Sequence, residues 1–401
     1  MLSTLSLAGV ALGVANLLPF AAAQDPTYSM VFNHQGANFF NNWNFYDGWD
    51  VNNTGTVEFQ TQDASQQLGL ISLNSAGNTI IKVDNTTSGV GNASFLRPSV
   101  KILTDYTLSS GNLLLFDAVH MPFGCSVWPA FWSQGPAWPD DGEIDIMEGV
   151  NLQVKNDISL HTLDGCKHPD AGVQAFETGN LVSTDCFNQT DFNQGCIVEV
   201  ATAGYGADFA SAGGGVYAML WNDTGLTFWF FQRGSIPADL PTTNPNPAGW
   251  GNPTAYYPQS SCDFNTFFKP QTFIIDITLC GNFAGQPNVF SQTCSGTCLD
   301  LVPIPTNFDD AYFEISYMRV FQQTNGSAPS TTPAGTALPT GGSGGVGTVT
   351  VTAASSGANG ESTTTAKTGA ALPSMSFSAL TLGACLLLEI VAVGFVQGFR
   401  L

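Results

Sequence analysis

Between Gln24 and Gln323 short apolar runs alternate with residues that favour turns. Gly215-Val-Tyr-Ala-Met-Leu-Trp221 is followed, across Asn222-Asp223-Thr224, by Gly225-Leu-Thr-Phe-Trp-Phe-Phe231, the pattern of two antiparallel strands joined by a tight turn. Thr272–Leu279 and Tyr312–Phe321 both alternate with period two, and the runs Gly69–Leu73, Thr79–Val83 and Leu113–Val119 have similar length and punctuation. Away from the two ends, no segment sustains an apolar period of 3.6 residues. The pattern predicts an all-β chain: a jelly-roll β-sandwich of two packed antiparallel sheets with a concave cleft.

Composition narrows what such a fold could bind. The 401 residues include 43 Gly and 22 Pro, which suits short strands and turns better than long helices. Only 10 Lys and Arg stand against 31 Asp and Glu, a net charge of −21, so no basic stripe can form and nucleic-acid binding is excluded. A neutral or cationic partner fits better, and an uncharged polysaccharide is a candidate. With 43% hydrophobic residues the chain has ample material for a core.

The two ends point to the secretory pathway. Residues 1–23 form an apolar segment ending in Ala21-Ala22-Ala23, which reads as a signal peptide although it lacks a basic start. Residues 324–376 are rich in Ser, Thr, Gly and Ala and read as an extended stalk. Residues 377–401 are apolar with Glu389 near the middle, and read as a GPI-attachment signal in preference to a transmembrane anchor. The catalytic or binding domain would then occupy 24–323 and face the outside of the plasma membrane or the cell wall, as a monomer held to the membrane by its tail.

Nine cysteines agree with that address. Cys385 lies in the tail, leaving Cys125, Cys166, Cys186, Cys196, Cys262, Cys280, Cys294 and Cys298 for up to four disulfides. Eight cysteines allow 105 pairings, and only Cys186–Cys196 suggests itself. Sequons at Asn52, Asn85, Asn92, Asn188, Asn222 and Asn325 are candidate N-glycosylation sites.

The chemistry concentrates between Trp128 and Glu148. Glu143-Ile-Asp145-Ile-Met-Glu148 alternates acids with large apolar residues, which is unusual in a solvated loop. In a strand Glu143 and Asp145 share a face, while Glu148 needs one extra residue, a β-bulge at Ile146-Met147, to join them. Crowded carboxyls push their proton affinities apart, which would leave one ionised nucleophile and one protonated acid in the arrangement of a retaining glycosidase. A calcium site or an acidic strand edge is the bland alternative, although calcium loops seldom interleave Ile and Met. The nearby tryptophans favour a sugar ligand, because flat rings match the C–H faces of sugar rings.

Gly142-Glu-Ile-Asp-Ile-Met-Glu-Gly149 resembles the signature of glycoside hydrolase family 16, in its laminarinase (endo-β-1,3- or 1,3(4)-glucanase) form. Trp128-Pro-Ala-Phe-Trp132, Ser159-Leu-His-Thr162, Trp250-Gly-Asn-Pro253, Ile274–Gly281 and Tyr312–Tyr317 also resemble fungal laminarinases, so the likeness spans nearly all of 24–323. The resemblance implies an endo-β-glucanase with Glu143 as nucleophile, Glu148 as acid/base and Asp145 assisting between them. It implies Trp132 and Trp138 as walls of the glucose subsites, with Trp128 turned towards the core. His161 would face the cleft from the neighbouring strand, near the acid/base. Lys101 stands where the family usually has Arg and would contact substrate at the far subsites. No cofactor is implied for the chemistry, though a structural Ca²⁺ is common in the family and its ligands are unknown here. Same-fold alternatives are a transglycosylase that remodels wall glucan and a non-catalytic glucan-binding protein.

Overall fold

The computed structural model describes residues 26–169 and 176–324. The readings on 1–23, the stalk, the tail, Cys385 and Asn325 lie outside the described residues.

Two large antiparallel sheets dominate. The first runs, in spatial order, through the strands Asn180–Ser183, Cys196–Glu199, Asp157–His161, Glu143–Glu148, Val127–Gln134, Thr272–Leu279, Lys101–Thr104 and Trp43–Phe45. The second runs through Ala255–Pro258, Gly225–Gln232, Gly215–Asn222, Asn112–His120, Tyr312–Gln323, Thr79–Lys82 and Ile71–Leu73, with Tyr28–His34 also paired to Tyr312–Gln323. The α-helices among the described residues span only four to six residues each. This is the expected jelly-roll sandwich.

Period-two patterning explains the layers. On the first sheet Phe131, Ile144, Ile158, Leu160, Phe273, Ile275 and Ile277 point inward, and they meet Leu114, Phe116, Tyr217, Met219 and Phe228 from the second. The outward side of the second sheet is also apolar (Leu113, Leu115, Val216, Ala218, Leu220), because Leu240 and Trp250 from the loop after Gly225–Gln232 cover it. That double burial explains why Leu113–Phe116 is a continuous apolar run rather than an alternation. The predicted hairpin pairs Gly215–Asn222 with Gly225–Gln232 through a two-residue turn, Asp223-Thr224.

Four disulfides brace the sandwich: Cys125–Cys294, Cys166–Cys262, Cys186–Cys196 and Cys280–Cys298. All eight cysteines of the domain are used, and the 186–196 pairing is the expected one.

Candidate active site

The Glu143–Glu148 strand lies near the middle of the first sheet, and its outward face carries the acids. Gln134, Ser133 and Trp132 pair with Glu143, Ile144 and Asp145, after which Phe131 and Ala130 pair with Met147 and Glu148. Ile146 therefore has no partner opposite and is the extra residue of the expected bulge. Ile144, Ile146 and Met147 enter the core, whereas Glu143, Asp145 and Glu148 line one recess with Asn53, Trp128, Trp132, Asp276 and Thr278.

Asn156 fixes the bulge. Its fully buried amide donates to the Ile146 carbonyl at 2.9 Å and accepts from the Glu148 N–H at 3.0 Å. Both backbone groups left over by the irregular register are thus satisfied. Gly142 sets the entry to the strand: at φ +78° an added Cβ would lie 2.4 Å from the Phe268 ring and 2.7 Å from the Phe267 carbonyl oxygen. Only glycine fits there.

The acids differ in their neighbours. Asp145 is buried; its Oδ2 accepts from the Ser159 hydroxyl at 2.6 Å and lies 3.2 Å from His161 Nε2. Glu143 Oε2 accepts the indole N–H of Trp138. Glu148 Oε1 accepts the indole N–H of Trp128 at 2.8 Å. Burial, reinforced by the charge of Asp145, pushes both Glu143 and Glu148 up to about 8. Burial also works against a charge on His161, but the bond to Asp145 and the fields of Glu143, Asp145 and Glu148 outweigh it and raise the ring to about 10. At neutral pH the site holds three carboxyls and one imidazolium.

The sequence-predicted residues fall into three groups. Glu143, Asp145, Glu148 and Trp132 come together as expected, and Trp138, 45% exposed, reaches over from the preceding loop. His161 is on the neighbouring strand but directly opposite Glu143 in the register, so it attends the Glu143–Asp145 end rather than the acid/base. Trp128 is a correction: it lines the recess and holds Glu148, because it is four residues from Trp132 on one strand and so shares its face.

Lys101 does not line the recess. It is nearly buried; its ammonium lies 3.4 Å from Asp276 Oδ2, and the rings of Trp132, Phe59 and Tyr46 surround it at 5.2–6.0 Å. Asp276 also accepts the Trp132 indole N–H at 3.1 Å, so Lys101 acts on the cleft through Asp276 and Trp132.

Other contributors were not singled out from the sequence. Ser159 could have been, since it is two residues from His161 on one strand. Asn193, whose Oδ1 accepts from His161 Nδ1 at 3.1 Å, left no local signal because a 32-residue excursion separates the pair.

Among the described residues, Glu143, Asp145 and His161 are the one group of three His, Cys, Asp or Glu side chains whose ligand atoms lie close enough to share an ion, all within 4.8 Å. Calcium takes six to eight oxygens, and two carboxylates with an imidazole do not fit that set.

Comparison with known proteins matches this arrangement. Residues 43–321 match a family model described as XgeA-like, catalytic GH16 domain. The chain belongs to glycoside hydrolase family 16. It is 38% identical over 300 residues to a probable glycosidase of Schizosaccharomyces pombe, covering 74% of this chain and 70% of that one. It is 40% identical over 332 residues to a probable endo-1,3(4)-beta-glucanase of Neosartorya fischeri, covering 80% of this chain but only 50% of the relative. The chain thus spans about half the length of several curated relatives it matches. Among solved structures, Laminarinase 16A of Phanerochaete chrysosporium with beta-glucans in donor and acceptor sites superposes with a TM-score of 0.70 at 34% identity, over 74% of this chain and all of that one. An elongating family 16 beta-1,3-glucosyltransferase superposes at 0.68, also at 34% identity, over 74% of this chain and all of that one.

Proposed function

We propose that this family 16 domain cleaves internal β-1,3-glucosidic bonds of β-glucan, with β-1,4 and β-1,6 tolerance open, by a retaining double displacement. The observation that carries the reading is the asymmetry of charge around two carboxyls of equally raised proton affinity. Each glutamate accepts one indole N–H and feels the His161 imidazolium, but His161 lies opposite Glu143 and within 4.8 Å of it, whereas Glu148 is outside that group. On that proximity the ionised member of the coupled pair is assigned to Glu143 and the proton to Glu148.

In the first step the Glu143 carboxylate attacks the anomeric carbon. The C–O bond to the leaving sugar breaks, and the proton of Glu148 passes to that oxygen. In the second step Glu148, now ionised, takes a proton from water, whose oxygen bonds the anomeric carbon as the ester to Glu143 breaks. Asp145, held by Ser159 and His161, keeps the imidazolium beside the nucleophile. Trp128, Trp132 and Trp138 offer flat surfaces for glucose rings.

A second reading is glycosyl transfer, in which a sugar hydroxyl replaces water in the second step. The likeness to the elongating glucosyltransferase favours it. A binding-only protein is disfavoured because all three carboxyls are present.

The apolar 1–23 segment and the four disulfides support an extracellular setting, and the stalk and apolar tail support a GPI anchor.

The test is the time course of products from a β-1,3-glucan, followed by NMR, with Glu143→Gln as control. Early β-anomers and a loss of about 10³-fold or more in the variant are expected, and products longer than the substrate would indicate transfer. Early α-anomers, or unchanged turnover in Glu143→Gln, would overturn the mechanism.

A further inference from the structure

The loop between Asn180–Ser183 and Cys196–Glu199 carries an unusual tip. Asp191, Phe192 and Asn193 have φ of +45°, +60° and +66°, three successive non-glycine residues in the left-handed region. Such conformations are costly and persist only where surrounding structure imposes them. Here the surroundings do: the Cys186–Cys196 disulfide closes the base, and the Thr190 hydroxyl donates to Asp185 at 3.2 Å. Gly195 (φ +74°) packs so close that a Cβ there would lie 2.7 Å from the His161 ring.

Two things are achieved by holding the tip this way. Asn193 receives the His161 Nδ1–H, tying the loop to the carboxyl cluster. Its neighbour Phe192 is left fully exposed, at 105%. Beside it stand the Asp191 carboxylate and the uncharged side chains of Gln189, Thr190, Asn193 and Gln194. A single flat ring framed by hydrogen-bonding amides, a hydroxyl and one carboxylate, which accepts from hydroxyl groups, suits a hydroxyl-rich ligand, whereas a protein or lipid partner would call for a contiguous apolar patch.

We infer that Phe192 is a stacking platform for a glucose residue of a β-glucan chain, forming a distal subsite beyond His161. The inference rests on the proposed glucan activity and adds the residue that extends the cleft past the Asp157–His161 strand. It predicts dependence on chain length: a short oligosaccharide that spans only the carboxyl cluster does not reach Phe192, and a long one does.

The experiment compares the wild-type chain with Phe192→Ala, Phe192→Leu and Phe192→Trp. Because the side chain is fully exposed, all are expected to melt with the wild type. On a long β-1,3-glucan, kcat/KM should fall roughly three- to tenfold in Phe192→Ala and Phe192→Leu and be retained in Phe192→Trp. On the shortest cleaved oligosaccharide the four proteins should agree. Retardation in gels containing the same glucan gives a readout free of turnover, and the Ala and Leu variants should migrate faster than wild type. Equal chain-length profiles and equal retardation across all four would overturn the Phe192 subsite while leaving the glucanase reading intact. Wild-type retardation without turnover would overturn the glucanase reading, and the subsite would then stand or fall on the variants' migration. Neither turnover nor retardation of the wild type would overturn both.

Discussion

Trp128 and Glu148 form a donor–acceptor pair at 2.8 Å, and the indole N–H favours the ionised carboxylate. In the proposed mechanism Glu148 must be protonated to act as the acid, so activity should be lost as pH rises through its proton affinity, already pushed up to about 8 by burial and Asp145. Phe at position 128 keeps the ring but removes the donor, which raises Glu148 further. The alkaline limb of kcat/KM should therefore move to higher pH in Trp128→Phe, with kcat reduced roughly tenfold as the carboxyl loses its tether. A pH–rate profile checks the sign; a limb that moves to lower pH would contradict the assignment. The three acids were legible in the sequence because a period-two pattern with one extra residue has few other readings. Trp128 was misplaced although the parity that exposes Trp132 applies equally to it. His161 was placed on the right strand but at the wrong end, because register between strands is set by pairing that no local pattern encodes.

At the scale of the strand, the bulge is kept by one side chain. Asn156, itself fully buried, satisfies the buried Ile146 carbonyl and the part-buried Glu148 N–H together. Asn156→Ala should lower stability by about 2–4 kcal/mol, read as a fall in melting temperature, since these two backbone groups lose their partners. It should also reduce kcat more than it raises KM, because the displaced group is the proposed acid rather than a binding surface. Asn156→Asp can accept but not donate, and should be intermediate in stability. The bulge itself was readable from spacing. Its latch was not, because Asn156 lies eight residues past Glu148 on the far side of a turn. The Gly215–Gln232 hairpin, by contrast, was fully legible, since turn chemistry and alternation lie within one short window.

Across the whole molecule the disulfides close loops of very different size. Cys125–Cys294 spans 169 residues and Cys186–Cys196 only 10. If restriction of the unfolded chain dominates, the first contributes about 5 kcal/mol and the second about 3 kcal/mol. Replacing the first pair by serines should therefore lower the denaturant midpoint more than replacing the second, while the second change should fall chiefly on the loop that holds His161. Denaturant titration of both double variants separates the effects. The even number of cysteines was legible, but of the pairings only the shortest was: Cys280–Cys298 closes an 18-residue loop in which Cys294 is an equally near candidate, and the other two join segments that meet only through the sandwich.

The strands Tyr28–His34 and Tyr312–Gln323 pair antiparallel, with Tyr28 opposite Gln323, and the Thr324 N–H donates to the Thr27 carbonyl at 2.8 Å. The domain thus begins and ends at one point, on the sheet opposite the carboxyls. Tension applied between those two points would load the bonds of this pair one after another, as in a zipper, rather than all together in shear. The domain would yield to a small force at that seam while the carboxyl-bearing sheet, tied elsewhere by its own strand pairs, stayed whole.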